Sequence, residues 1–317
     1  MARDFYELQP DTVMDATEAA GFEPTGEFFQ LNSYENRVFK IRLEDRQQVV
    51  AKFYRPGRWT KDQILEEHEF LSELGSEGIE VNQPLTLSNG STLMEFAGMN
   101  VSYFPLVQGR PVTELLERDW PRVGNLLARL HNIGERKEAE HRVPMTAADH
   151  PNGWSALELL EDWVDPNIRT RYLATAAEIL EAFEEVVDPS SFIRIHGDSH
   201  KRNLLQKDET FFMVDFDDFV MGPVIQDVWM LFSDLENYEE ESELFLSGYE
   251  ELRHFPHEQF QWIPLLQGFR IMGYSAWIAR RWTDPSFPRL FPEFNTYAYW
   301  SQETEALEKC LLQLTLE

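Results

Sequence analysis

The spacing of apolar side chains changes along this chain, and no fold with one repeating secondary structure accommodates both parts. Between residues 26 and 54, short β-rich runs (FFQLN, RVFKIRL and QVVAKFY) alternate with polar turns, which predicts successive antiparallel strands. From Trp59 to Leu74, the residues Ile64, Leu65, His68, Leu71 and Leu74 recur at helical spacing, so one helix is expected there, with Gly75 as its C-terminal stop. Two further strand-like runs, 84–87 and 93–97, precede NVSYFPLVQG, an extended apolar segment that reads as a linker ending near Gly109. Beyond Val112 the period becomes helical: Val123 to Ile133, Ala156 to Trp163, Arg169 to Val187, Val228 to Tyr249 and Ile263 to Trp282 each keep an apolar face. Pro285, Pro288 and Pro292 mark 283–296 as an irregular aromatic loop. The expected architecture is α+β and bilobal. An antiparallel-sheet lobe with one helix occupies 1–107, and a mainly α-helical lobe occupies 108–317.

Composition then removes whole classes of partner. The 28 Lys and Arg face 56 Asp and Glu over 317 residues, a formal charge of −28. Such a surface repels phosphate backbones and anionic lipid, so neither a nucleic-acid nor a membrane partner is expected. No run approaches the roughly 18 apolar residues of a membrane span, and Met1 to Tyr6 lacks a signal-peptide core, which places the chain in the cytoplasm. Cys310 is the one cysteine, so an internal disulfide is impossible and an inert thiol is expected. The excess of acid is spread over both lobes, −9 on 1–107 and −19 on 108–317. Its densest block, 234–251, reads first as a solvated helix face and second as a means of steering a cationic substrate.

The stretch that carries chemistry is SFIRIHGDSHKRNLL (191–205), followed by FFMVDFDD (211–218). Two apolar runs around a polar turn suggest a short hairpin with Asp198 and Asn203 on its loop and Asp215 at the end of the returning strand. Asn203 and Asp215 offer the hard oxygens that Mg²⁺ prefers, and a phosphate chain can complete the octahedron. Asp198 then remains as the acceptor of a hydroxyl proton in phosphoryl transfer.

His196-Gly-Asp198-Ser-His-Lys-Arg-Asn203 resembles the catalytic loop of the protein-kinase-like superfamily, in the form used by aminoglycoside phosphotransferases and choline kinases. Asp215 takes the place of the Asp of D-F-G, with Phe216 and Asp217 following instead of Phe-Gly, and Asp227 looks like the aspartate that braces the catalytic loop. Over the whole chain, LNSYENRVF, VVAKFYRP, QILEEHEF and RRWTDPSFP resemble the bacterial stress-response kinases of that branch. The resemblance implies a serine/threonine protein kinase that uses ATP and Mg²⁺.

The small lobe has to supply a cation for the nucleotide phosphates. Lys52, in V-V-A-K-F, has the setting for this, and Glu67 is favoured over Glu66 as its partner because Ile64, Leu71 and Leu74 define the inward face of the helix. Leu31 to Arg37 contains no glycine, so backbone N–H groups and the Ser33 hydroxyl are expected at the phosphates, with Asn36 second. His200 reads as a phosphate contact or a structural histidine, and His196 as a brace. Asp217 and Asp218, as adjacent strand residues, are expected to point to opposite faces, so they cannot both face one substrate. His131, His141, His150, His254 and His257 show no metal-ligand spacing.

Eleven residues separate Asp215 from Asp227, too few for a long activation segment. A small amino alcohol, sugar or aminoglycoside is therefore the alternative acceptor, and a cationic one would suit the acidic large lobe. A nucleotide-sensing scaffold without activity is the third reading, opposed by the joint presence of Lys52, Asp198, Asn203 and Asp215. Lys52→Met is expected to cripple ATP use while hardly changing the melting temperature.

Overall fold

Five strands between residues 24 and 105 pair into one antiparallel sheet in the order β1-β2-β3-β5-β4. They are β1 (Pro24–Leu31), β2 (Arg37–Leu43), β3 (Gln48–Phe53), β4 (Met94–Phe96) and β5 (Met99–Pro105). The computed structural model describes residue 5, residues 8–232 and residues 238–314. Register places Val38 opposite Lys52 on β2 and β3, and Lys52 opposite Ser102 on β5, so Lys52 lies on the middle strand of the sheet. The segment read as a linker is thus mostly β5, because Val101 and Tyr103 fill the core of the small lobe together with Phe39, Ile41 and Phe53. Residues 84–87, read as a strand, are not one; Leu85 donates its N–H to Tyr103 O in an isolated bond. A helix absent from the sequence reading, α1 (Pro10–Ala19), packs Val13 and Ala16 onto the same core.

The helix that carries Glu67, α2 (Lys61–Ser76), opens on a capping box in which Thr60 and Gln63 exchange side-chain bonds to backbone N–H groups. Gly75 is not its stop. It lies inside the helix, where an added Cβ would come 1.9 Å from Gln83 Nε2.

The large lobe begins with β6 (Arg110–Pro111) and α3 (Trp120–Gly134), followed by α4 (Trp154–Leu160) and α5 (Arg169–Val186). Next come β7 (Ile193–Ile195), β8 (Leu204–Lys207), β9 (Thr210–Met213) and β10 (Val220–Gly222). The lobe closes with α6 (Tyr238–Tyr249), α7 (Ile263–Arg280), α8 (Phe287–Leu290) and α9 (Tyr297–Leu314). Trp120, Leu127, Ile179, Phe183, Phe269 and Trp300 belong to one buried core. The expected helix over Val228 to Tyr249 is broken: residues 229–231 form a single 3₁₀ turn and α6 starts at Tyr238. Residues 233–237, including the start of the acidic block, lie outside the described residues. α9 was invisible as a separate element because its inward set, Trp300, Thr304, Leu307 and Cys310, mixes polar with apolar residues.

Candidate active site

The catalytic-loop residues are carried by a different strand pairing from the hairpin expected. β7 pairs with β10, and β8 pairs with β9, so Asp198 and Asn203 lie on the link between two small sheets. Asp215 follows β9, and the Val214 N–H donates to Asn203 O at 2.9 Å, which ties the two oxygen-bearing residues together through the backbone.

Asp227 fixes this loop. Its Oδ2 accepts the His196 N–H at 2.7 Å and its Oδ1 the Gly197 N–H at 2.8 Å, while His131 Nε2 approaches at 3.3 Å. It stands on the 3₁₀ turn Val224–Asp227 rather than on a long helix. Gly197 has φ +84°, and a Cβ there would meet Asp218 O at 2.1 Å, so the glycine is required twice over. His196 is buried and bonds Val214 O through Nε2 at 3.0 Å, the bracing geometry. His200 caps the turn after Asp198 by accepting the Asn203 N–H through Nδ1 at 3.2 Å.

Asn203 Nδ2 donates to Asp198 O at 3.0 Å, which leaves Oδ1 as the free amide oxygen. Asp215 adopts the left-handed region at φ 64°, an unusual conformation for a non-glycine residue, and its side chain is 61% exposed. One free amide oxygen and one presented carboxylate form a hard-oxygen donor pair that fits Mg²⁺ completed by phosphate.

Lys52 stands at the centre of the charge pattern. Its Nζ lies 2.7 Å from Asp217 Oδ1, 3.7 Å from Asp215 Oδ1 and 3.9 Å from Glu67 Oε1. Burial works against the charge, but Asp217 and then Glu67 outweigh it and hold the ammonium well above its usual value. Glu67 has a closer partner in Arg142 Nη2, at 3.1 Å, and burial pushes its carboxyl up against the pull of Lys52. Glu66 instead faces the loop 140–142 and accepts the N–H groups of His141 and Arg142.

Asp217 is the residue that sequence reasoning dismissed. Residues 216–218 form a 3₁₀ turn, not a strand, so the opposite-faces argument does not apply. Asp217 and Asp218 both bind one guanidinium, that of Arg58. Asp217 also accepts from Asn36 Nδ2 at 3.3 Å. Burial would raise its carboxyl, yet Arg58 and Lys52 hold it well below the usual range. Asn36 is buried, and its Oδ1 accepts the Arg55 N–H at 3.1 Å, so one end of the amide ties the small lobe to itself and the other reaches Asp217 of the large lobe. The Ser33 hydroxyl accepts the Asn36 N–H at 3.2 Å and shapes the same turn.

The turn itself is clamped to the large lobe. Glu35 accepts the Trp277 indole N–H at 2.8 Å and pairs with Arg281, Arg55 and Arg58. Asp284 takes Arg55 at 3.2 Å and Arg37 at 3.5 Å. Arg58 and Arg142 carried no sequence signal, and Glu35 and Asp284, although inside the resembling segments LNSYENRVF and RRWTDPSFP, carried no role of their own, since each is a charge made specific only by partners elsewhere in the chain.

The arrangement is that of a phosphotransferase: a buried lysine paired to a helix glutamate, a braced loop aspartate, and an asparagine and aspartate that present oxygens. The sequence profile of the phosphotransferase enzyme family APH matches residues 29–263, and the chain belongs to that family. Stress response kinase A of Escherichia coli O157:H7 is 35% identical over 322 residues, covering 98% of this chain and 97% of the relative. The protein named serine/threonine protein kinase RdoA in Salmonella typhimurium LT2 is 36% identical over 304 residues, 95% of this chain and 92% of the relative. Among solved structures, the amicoumacin kinase hAmiN superposes with a TM-score of 0.76 at 18% identity, covering 98% and 96% of the two chains. A microcompartment-associated aminopropanol kinase gives 0.66 at 20% identity, covering 96% and 99%. These establish the bilobal kinase-like fold. Among the described residues, no helix is long and apolar enough to cross a membrane.

Proposed function

We propose that the chain is a cytoplasmic, Mg²⁺- and ATP-dependent kinase that phosphorylates serine or threonine in proteins as part of a stress response. ATP occupies the cleft between lobes 1–107 and 108–317. The observation that carries the reading is the convergence of Lys52, Glu67, Asp215 and Asp217 at one point of that cleft, beside the braced loop of Asp198 and Asn203.

Lys52 binds the α/β-phosphates and is held in place by Glu67 and Asp217. Ser33 and the backbone N–H groups of its turn cover the phosphates, with Asn36 setting the turn's position. Asn203 and Asp215 hold Mg²⁺, which supplies charge neutralisation on the phosphate chain. Asp198 orients the acceptor hydroxyl in line with the γ-phosphorus and takes its proton as the new O–P bond forms and ADP leaves. The near-full-length likeness to a relative named serine/threonine protein kinase supports a protein acceptor. The solved neighbours named as small-molecule kinases keep an amino alcohol, sugar or aminoglycoside as the alternative.

The test incubates purified protein with Mg²⁺-ATP and a generic protein substrate, followed by mass spectrometry. Phosphoserine or phosphothreonine is expected. Its absence, together with stoichiometric ATP loss driven by an amino alcohol or aminoglycoside, would move the assignment to the alternative.

A further inference from the structure

One stripe of α7, continued by Arg281 just past its end, meets the catalytic loop through Arg270. Arg270, Tyr274, Trp277 and Arg281 fall at successive intervals of four, three and four residues, which puts them on a common face. The far end of the stripe is already used: Trp277 and Arg281 bind Glu35 of the small lobe. The near end is not. Arg270 Nη1 donates to Asp198 Oδ1 at 2.9 Å, and among the described residues that is its salt bridge.

A guanidinium carries five N–H donors in a rigid fork, so this contact leaves most of the group uncommitted. The Arg270 side chain is 43% exposed, immediately beside the carboxylate that receives the acceptor. Tyr274, one turn further on, is 48% exposed and stacked on Trp277 with 5.6 Å between ring centroids. Among the described residues, Asp198 Oδ2 has loose neighbours, His200 Nε2 and Asn203 Nδ2, each at 3.5 Å, and is the oxygen turned to a hydroxyl. A hydroxyl that docks on Oδ2 brings its own substituents against a cation and an aromatic ring. A positive substituent meets repulsion there at contact distance, whereas a carboxylate finds the unused edge of the fork.

We propose that Arg270 is a specificity-determining residue that binds an anionic group next to the acceptor hydroxyl, so that the preferred acceptor is a serine or threonine flanked by aspartate or glutamate. This rests on the kinase reading above and refines its acceptor. It also runs against the sign of the lobe as a whole, −19, which by itself suggests a cationic acceptor. The local contact decides, because distant surface charges are screened over about 8 Å at physiological ionic strength.

The experiment compares two peptides of equal length, one serine flanked by acidic residues and one flanked by basic residues, with glycerate and ethanolamine as small acceptors. Wild-type protein should show a KM about 10- to 100-fold lower for the acidic peptide. Arg270→Gln should abolish that difference by raising the acidic-peptide KM, while any fall in kcat from the lost ion pair with Asp198 should be the same for both peptides. Arg270→Lys should restore part of it, and Arg270→Glu should invert the preference. Equal loss of kcat on both peptides, with the charge preference intact, would reduce Arg270 to a brace for Asp198 and overturn the proposal. A wild-type protein that phosphorylates both peptides alike, or prefers the basic one, overturns the proposal and leaves the protein-kinase reading standing. Transfer to glycerate and to neither peptide, lost in Arg270→Gln, keeps the charge rule and ends the protein-acceptor reading. Transfer to ethanolamine alone overturns both.

Discussion

Lys52 Nζ lies a full ångström closer to Asp217 than to Asp215, at 2.7 Å against 3.7 Å. The lysine proposed to bind nucleotide phosphates is therefore anchored by the carboxylate two residues beyond the metal-ligand candidate. The two aspartates differ in burial as well: the Asp215 side chain is 61% exposed and that of Asp217 is 4% exposed.

That division predicts opposite phenotypes. Asp215→Ala should abolish phosphate transfer and leave the apo melting temperature nearly unchanged, because the lost group faces the cleft. Asp217→Asn should lower stability by about 3 kcal/mol, since it strips a buried charge from Lys52 and Arg58. Thermal melts and single-turnover transfer on both variants check this. Transfer at wild-type rate by folded Asp215→Ala would refute its metal role.

Lys52→Met is expected to reduce kcat/KM for ATP by about 10- to 100-fold. The structure changes the stability half of the sequence-based expectation. Lys52 is buried and neutralises the buried Asp217 and Glu67, so removing it leaves two carboxylates without that cation in a dry site. Arg58 and Arg142 remain as counter-charges, which limits the cost to about 1–3 kcal/mol. A calorimetric scan of the apo variant with an unchanged midpoint would place Lys52 in a far wetter setting than the structure does.

The pattern of what was legible follows from how far each signal reaches along the chain. Strand β2 and helix α2 were readable because their burial is periodic within a single run, and β3 because its run is short, apolar and β-branched. That Asp198, Asn203 and the segment of Asp215 come together was readable because the proposed loop chemistry needs fixed local spacing. The preference for Glu67 over Glu66 followed from helix phase, and it places Glu67 near Lys52 while Glu66 caps a loop. Partners from distant segments were not readable. Arg58 meets Asp217 across 159 positions and Trp277 meets Glu35 across 242, and nothing near either residue announces the match. Helix α9 escaped for a different reason: its buried face includes Thr304, which satisfies its hydroxyl on Trp300 O.

His68 provides a pH test. It is buried between Tyr54 Oη and Thr92 Oγ1, and burial, helped by Lys52 and Arg142, lowers its pKa from 6.5 to about 3. The folded protein thus holds fewer protons at this site than the unfolded chain, so stability rises with pH up to about 6.5 and is lost below it. His68→Gln keeps hydrogen bonding without titrating. Between about pH 7 and about pH 5.5, wild type should lose about 1 kcal/mol more than His68→Gln in urea unfolding. Equal losses would mean that His68 protonates in the folded state.

Asp198 decides whether the site works by acid–base assistance or by positioning alone. Its backbone is held by Asn203 Nδ2 on the carbonyl and by His196 Nδ1, which accepts the Asp198 N–H at 3.3 Å, so replacing the carboxylate should not displace the loop. Asp198→Asn keeps the shape and one oxygen but removes the proton acceptor and the ion pair with Arg270. General-base help is worth about 10²–10⁴-fold, so turnover should fall by that amount while nucleotide affinity, which depends on Lys52, Asn203 and Asp215, stays within about twofold. Calorimetric titration with a non-hydrolysable ATP analogue and Mg²⁺, set beside single-turnover transfer, separates the two quantities. A parallel loss of binding and turnover would show that Asp198 helps to hold the nucleotide, and the division of labour between Asp198 and Asp215 would have to be redrawn.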